Sequence, residues 1–151
     1  MAGKTVIFSS EYSPRRGVGQ MKLETAELLE KAEENIRAAD TLIKAQFFEI
    51  AVSRGYYAIF YIARALLVEE GKTSSSHREV QGAYGLHFAK TARLDPKYHR
   101  YLLDSFRKRQ VADYQHDAEV SEAEAVEVVN HAEDFLVAAR NYLTSPAPST
   151  P

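Results

Sequence analysis

The chain has 151 residues, of which 45% are hydrophobic and 26% charged, so it is long enough for one domain with a buried core. It contains no cysteine, which excludes disulfide bonds, thiolate metal sites and a thiol nucleophile. The formal net charge of −2 argues neither for nor against a nucleic-acid partner.

Apolar residues recur at helical spacing over residues 22–46 and predict a first helix. The next segment, from about Phe48 to Glu70, is apolar on most sides, which is typical of a central helix buried by its neighbours. Gly71 ends this helix, because glycine readily adopts the conformation that follows a helix C terminus.

Start signals predict three more helices. The capping box Ser76–Glu79 begins a third, weaker helix that extends to about Ala92. The pair Asp95–Pro96 begins a fourth helix, which runs to about His116. A second capping box, Ser121–Glu124, opens the fifth helix, which completes the domain.

These elements predict an all-α fold, an up-and-down bundle of four to five helices over residues 22–143. For residues 1–21 the composition predicts an irregular N-terminal arm. For residues 144–151, which are rich in Pro and Ser, it predicts a disordered tail. No secretory signal opens the chain, and its longest apolar run is too short to span a bilayer. We therefore expect a cytoplasmic protein with no membrane partner.

Charge is unevenly distributed along the C-terminal half. Residues 96–111 contain five Lys or Arg and one acidic residue, whereas residues 112–134 contain eight acidic residues and no Lys or Arg. A local basic patch can attract phosphate even in an acidic chain, so Lys108 is a candidate contact for RNA or a nucleotide. The alternative is a solvated face on each helix.

The segment from Arg109 to His116 has the most informative spacing in the chain. In a helix these two residues are two turns apart and fall within about 20° of each other around the axis. Asp113 lies between them on the same face, at i+4 from Arg109. The alternative interpretation is an exposed ion pair between Arg109 and Asp113, with His116 merely near a helix end.

Such a row could cleave RNA without a metal. The 2′-hydroxyl attacks the adjacent phosphorus, so a base must take its proton and a cation must stabilise the phosphoryl oxygens. His116 is the candidate base or acid and Arg109 the candidate charge stabiliser, because arginine matches phosphate geometry. Asp113 would orient the imidazole.

A second group of candidates lies on the apolar second helix. Arg54 and Tyr57 share a face at i,i+3 and could line a nucleotide pocket. The alternative is a tyrosine-rich core in which a structural Arg54 reaches a carboxylate or the surface. His77 follows the capping Ser76, and that position explains it adequately. The other histidines lack metal-ligand spacing, so we expect no metal and no cofactor.

Two blocks together resemble the small stand-alone branch of the HEPN superfamily. The first runs from Ala51 to Leu67 and is followed by His77 at the next helix start. The second is Arg109-Gln-Val-Ala-Asp-Tyr114, followed by Ser121–Glu124 and a last helix with Ala132–Leu136. The likeness covers about residues 22–143.

The resemblance implies a helical bundle that usually pairs into a homodimer. Many members are metal-independent ribonucleases with an Arg and a His separated by four to six residues, and Arg109 and His116 match the six-residue spacing. Such members are often encoded beside a minimal nucleotidyltransferase that acts as an antitoxin. Others bind nucleotides or serve as helical partners of nucleotidyltransferases.

We therefore predict a toxin-type ribonuclease that acts on RNA as a homodimer, with a nucleotidyltransferase antitoxin and no DNA partner. The alternative is a non-catalytic HEPN module that binds a nucleotide or a nucleotidyltransferase. The block with Asp113 and Tyr114 matches the family best, which keeps that alternative open and makes Tyr114 a candidate binding residue.

Overall fold

A computed structural model of the chain describes residues 21–115, 117 and 119–145. Nearly all of the predicted N-terminal arm, over residues 1–21, and most of the predicted tail, over residues 144–151, lie outside this part. His116 also lies outside the described residues.

The described part of the chain is helical and has no strand. Its α-helices are α1 (Leu23–Lys44), α2 (Phe48–Glu69), α3 (His77–Tyr84), α4 (Lys97–Tyr114) and α5 (Glu122–Thr144). A short π-helical segment, Gly85–Ala89, follows α3 directly. The all-α helical bundle that the sequence predicts is therefore confirmed. None of the described helices combines the length and the apolar character that a membrane crossing requires.

The core is centred on α2, as its apolar sequence predicts. This helix packs against α1, α3, α4 and α5, and Ile59, Ile62 and Leu66 are completely buried. Burying each such side chain stabilises the fold by about 1.5–3 kcal/mol. Gly55 lets α5 approach, because a Cβ at this position would lie 2.7 Å from Cγ1 of Val128.

The helix starts follow the predicted signals. Ser76 Oγ accepts a hydrogen bond from the backbone of Glu79 at 3.1 Å, and Ser121 forms the full capping box at the start of α5. The carboxylate of Asp95 accepts from the backbone of Lys97 at 2.9 Å. These contacts satisfy amides that have no partner within their own helix.

Two helix ends differ from the prediction. The third helix does not continue regularly to Ala92, because α3 ends at Tyr84 and the chain takes π-helical spacing from Gly85. His99 of α4 packs there, since a Cβ at Gly85 would lie 2.7 Å from its ring. The fourth helix ends at Tyr114 rather than His116, because Gln115 is extended, with φ −111° and ψ 98°.

Candidate functional site

Arg109 and Asp113 form an ion pair on the last turns of α4. Nε of Arg109 lies 2.8 Å from Oδ2 of Asp113, and their side chains are 15% and 34% exposed. Ser53 of α2 donates a hydrogen bond to the other carboxylate oxygen, Oδ1, at 2.7 Å. The predicted i,i+4 pair is therefore present, with Arg109 mostly covered and Asp113 open to solvent on one side.

The guanidinium of Arg109 keeps unused donors. Nε is buried but its N–H is not aligned for a hydrogen bond with Asp113, despite the short distance. The other two guanidinium nitrogens also donate no hydrogen bond to an acceptor among the described residues. Asp113 therefore positions the arginine without saturating it, which leaves donors for a ligand of opposite charge.

A second arginine converges on the same aromatic ring. The guanidinium carbon of Arg54 lies 4.9 Å from the centroid of Tyr57, and that of Arg109 lies 5.2 Å from the same centroid. Arg54 is held by Asn35 of α1, whose Oδ1 accepts from its NH1 at 2.9 Å. The ring of Tyr57 thus makes cation–π contacts with both arginines.

The charges in this cluster do not balance. Arg54 is anchored by a neutral amide rather than by the carboxylate expected for a buried arginine, and Arg109 has one carboxylate partner. Two fixed positive charges therefore face one negative charge across a tyrosine ring. An anion with several oxygen acceptors is the ligand that such an arrangement favours.

His77, at the start of α3, extends the cluster on its other side. Its Nδ1 lies 2.6 Å from the hydroxyl oxygen of the buried Tyr56, and its ring contacts Phe60 and Phe106 at centroid distances of 4.7 and 5.7 Å. Burial, and secondarily the positive charge of Arg109, lowers the pKa of His77 below its ordinary value. The imidazole is therefore neutral near pH 7.

Sequence reasoning assigned His77 to its capping position and missed this role. Ser76 does cap α3, but the contact that matters joins His77 to Tyr56 across 21 residues of chain. No periodicity within one helix reveals such a contact. The signal in the sequence was that His77 stands at the next helix start after the first block of the HEPN resemblance.

The remaining candidates lie apart from the two arginines. Lys108 turns to another face of α4, where its Nζ pairs with Oε1 of Glu127 at 2.7 Å. Tyr114 is 72% exposed at the end of α4 and makes no contact with the Tyr57 ring. The structure therefore groups Arg54, Tyr57, Arg109 and Asp113, and leaves Lys108 and Tyr114 outside this group.

The predicted helical row from Arg109 to His116 stays a prediction, because only its first part lies in the described helix α4. Helix α4 ends at Tyr114, and Gln115 is extended. Asp113, which is predicted to orient the imidazole, contacts Arg109 and Ser53. The position of His116 itself is not among the described residues.

Exposed apolar side chains lie on or next to the two helices that carry the cluster. Ile50, one turn before Ser53 on α2, is 52% exposed, and Phe47 precedes α2 and is similarly exposed. Val111 and Tyr114 are exposed on the last turn of α4. In the described ranges no group of three or more His, Asp or Glu side chains is arranged to hold a metal ion.

Comparison with known proteins gives a consistent family match. The model of the HEPN domain family matches residues 25–142, which include most of α1 and α5 and everything between them. A Methanocaldococcus jannaschii protein named "putative toxin" is 34% identical over 124 residues, which cover 82% of this chain and 84% of that protein. A second M. jannaschii protein with the same name is 37% identical over 72% of this chain and 81% of its own length. A UPF0332 protein of Gloeobacter violaceus is 36% identical over 77% of this chain and 98% of its own length.

Proposed function

Because the chain belongs to the HEPN domain family, we propose that it is a metal-independent endoribonuclease of the toxin type. The observation that carries the proposal is the pair of arginines, Arg54 and Arg109, held on the ring of Tyr57 with only one carboxylate between them. The two relatives named "putative toxin" support a toxin-like role.

The chemistry needs no metal. The 2′-hydroxyl oxygen attacks the adjacent phosphorus as a base removes its proton, and the bond from phosphorus to the 5′-oxygen breaks as an acid protonates that oxygen. The products are a 2′,3′-cyclic phosphate and a 5′-hydroxyl. Arg109 donates to the phosphoryl oxygens, whose negative charge grows in the transition state. Arg54 binds the same or the next phosphate.

In this proposal His116 is the base or the acid. In the sequence it follows Tyr114, the last residue of α4, by two positions. Histidine suits the task because its ordinary pKa lies near neutrality. Asp113 orients Arg109 through the contact at 2.8 Å, and so acts on the charge stabiliser rather than on the imidazole.

We also propose that two copies pair beside this site. Ile50, Val111 and Tyr114 are exposed apolar side chains on α2 and α4, the two helices that carry the arginines, and a symmetric dimer would bury them. One copy could then supply the acid and the other the base. Size-exclusion chromatography with light scattering tests this: the native chain should be a dimer, and Ile50→Asp a folded monomer with impaired cleavage. A native monomer would contradict the proposal.

The deciding experiment is incubation of the purified chain with total RNA in excess EDTA. We expect cleavage by the native protein and loss of cleavage in Arg109→Ala and His116→Ala. Arg107→Ala is the matched control, because Arg107 is an exposed arginine on the same helix that pairs with Asp104. The absence of cleavage by a folded, dimeric protein would exclude the proposed activity, and so would cleavage that EDTA abolishes.

One observation favours a second function, a non-catalytic module that binds a nucleotide or a nucleotidyltransferase. Within the described residues, the cluster supplies cations, aromatic rings and a neutral imidazole, while its one carboxylate is already engaged. In that case AMP should raise the melting temperature of the native chain but not of Arg54→Ala, and RNA should remain intact. Binding to a nucleotidyltransferase is tested by co-expressing this chain with one encoded beside its gene and asking whether the two co-purify. We propose that both proteins are cytoplasmic.

A further inference from the structure

The short contact between Tyr56 and His77 bears on which imidazole nitrogen carries the proton. Tyr56 is fully buried, and burial raises the pKa of its phenol well above the ordinary value, so the hydroxyl keeps its hydrogen. That hydrogen needs an acceptor, and Nδ1 of His77 lies 2.6 Å away. In the arrangement proposed below the phenol donates to Nδ1, which places the single proton of the neutral imidazole on Nε2.

The protonated form of His77 would disturb this arrangement. A second N–H, on Nδ1, would point at the Tyr56 hydroxyl, which would have to turn its own hydrogen away. Burial of the ring and the nearby charge of Arg109 also lower the pKa of His77. The imidazole is thus held neutral, with one N–H whose direction is set by Tyr56 and by the packing of Phe60 and Phe106.

This N–H is available for a ligand. Nε2 of His77 forms no hydrogen bond with any described residue, and the side chain is partly exposed. The imidazole ring lies 5.8 Å from the ring of Tyr57, centroid to centroid, and the guanidinium of Arg109 lies 5.2 Å from that same Tyr57 ring. The imidazole of His77 and the guanidinium of Arg109 therefore both lie near the ring of Tyr57.

We propose that His77 is a third ligand-contacting residue of this site, donating a hydrogen bond from Nε2 to an oxygen of the ribonucleotide phosphate that Arg54 and Arg109 bind. The inference rests on the proposed function only in requiring that the arginines bind a ribonucleotide phosphate, whether or not the RNA is then cut. An uncharged donor adds direction to the site without adding a third positive charge.

Titration calorimetry on the full chain tests the proposal. Two probes distinguish a free nucleotide from RNA: AMP, and a short 2′-O-methyl oligoribonucleotide that cannot be cleaved. We expect His77→Ala to weaken binding of at least one probe about tenfold, the effect of one hydrogen bond to a charged group. His77→Gln, which retains an N–H donor, should recover part of the loss. His131→Ala is the control, because His131 packs on Tyr101, away from the arginines.

A spectroscopic measurement separates ligand contact from a structural role. In ¹⁵N-labelled protein, the long-range ¹H–¹⁵N spectrum should show His77 with its proton on Nε2, and added AMP or oligonucleotide should shift that signal. Tyr56→Phe should release the proton to either nitrogen while the ring still packs. Unchanged Nε2 resonances at saturation, with normal binding by His77→Ala, would overturn the inference.

The two proposals fail differently. If Arg109→Ala leaves the affinity for both probes unchanged, the phosphate site itself is wrong. If Arg109→Ala weakens binding and His77→Ala does not, only the role of His77 is wrong. Circular dichroism and the melting temperature of each variant identify a loss caused by unfolding, and His77→Gln then replaces His77→Ala as the deciding variant.

Discussion

The two sides of α4 use their cations in opposite ways. On one side Arg109 is largely buried, shares a tyrosine ring with Arg54, and has one carboxylate partner that is also bound by Ser53. On the other side Lys108 is matched by its own carboxylate, that of Glu127 in α5. The first side has surplus positive charge, whereas the charge of Lys108 on the second side is matched by a carboxylate. Neighbouring residues of one basic stretch thus differ in what they can bind.

The largest expected effect comes from removing each cation in turn. Arg109→Ala should lower the rate of RNA cleavage about 100-fold or more, because a preorganised donor to the transition state is lost. Lys108→Ala should change the rate by no more than about twofold, since its charge is already neutralised by Glu127. Initial rates on a fluorescent oligoribonucleotide measure both. Equal losses would mean that the basic stretch acts as one diffuse patch.

The sequence shows that Lys108 and Arg109 point to different faces of one helix, but it does not show which side chains of other helices each of them meets. The i,i+4 pair of Arg109 and Asp113 was predicted and is present, because spacing within one helix fixes which side chains meet. The shared ring of Tyr57 joins α2 to α4, and the hydroxyl of Tyr56 joins α2 to α3. Contacts between helices depend on packing, which periodicity alone does not reveal.

The helix boundaries show the same division between local and tertiary causes. The start of α5 at Ser121 follows from a capping box that is complete within four residues. The change to π-helical spacing at Gly85 depends on the ring of His99, which comes from α4 and packs against the glycine. Helix α4 ends at Tyr114, two residues before the predicted end near His116, which itself lies outside the described residues.

A smaller effect is expected when the two carboxylates are neutralised. Asp113→Asn leaves the largely buried charge of Arg109 without its partner and should lower the free energy of unfolding by about 1–2 kcal/mol. Glu127→Gln breaks a more exposed pair and should cost about 0.5 kcal/mol or less. Urea denaturation of both variants gives the comparison. A larger loss from Glu127→Gln would reverse the assignment of the structural ion pair.

Removing the second contact of Asp113 should have a smaller effect still. Ser53→Ala deletes one neutral donor to Oδ1 and should cost about 1 kcal/mol of unfolding free energy. Because the pair with Arg109 stays intact, the affinity for AMP should fall less than in Asp113→Asn. The double variant Ser53→Ala/Asp113→Asn tests whether the contacts of Asp113 with Ser53 and Arg109 depend on each other. If they were independent, the two losses of unfolding free energy would add. Strict additivity would contradict a shared anchoring role.

The smallest effect concerns two histidines, one on each side of the comparison. Burial lowers the pKa of both His77 and His131 below the ordinary value of 6.5. Folding therefore favours the neutral imidazoles, so their contribution to stability is complete above pH 6.5 and is lost as the pH falls through the folded-state pKa values. His77→Gln and His131→Gln should each flatten the decline of unfolding free energy between pH 7 and pH 5.

Added salt should shift the pKa values of His77 and His131 in opposite directions. The charge that acts on His77 is the positive one of Arg109, which adds to the effect of burial. Around His131 the charges are mostly negative and oppose burial; they come from Glu127, Asp134 and Asp104, with Lys108 as the positive exception. Because salt screens both fields, it should raise the pKa of His77 and lower that of His131. Titration of the ring ¹H signals by NMR at low and high salt measures both. A shift of His77 in the same direction as His131 would mean that Arg109 does not dominate the potential at His77, and the surplus positive charge assigned to this side of α4 would then be wrong.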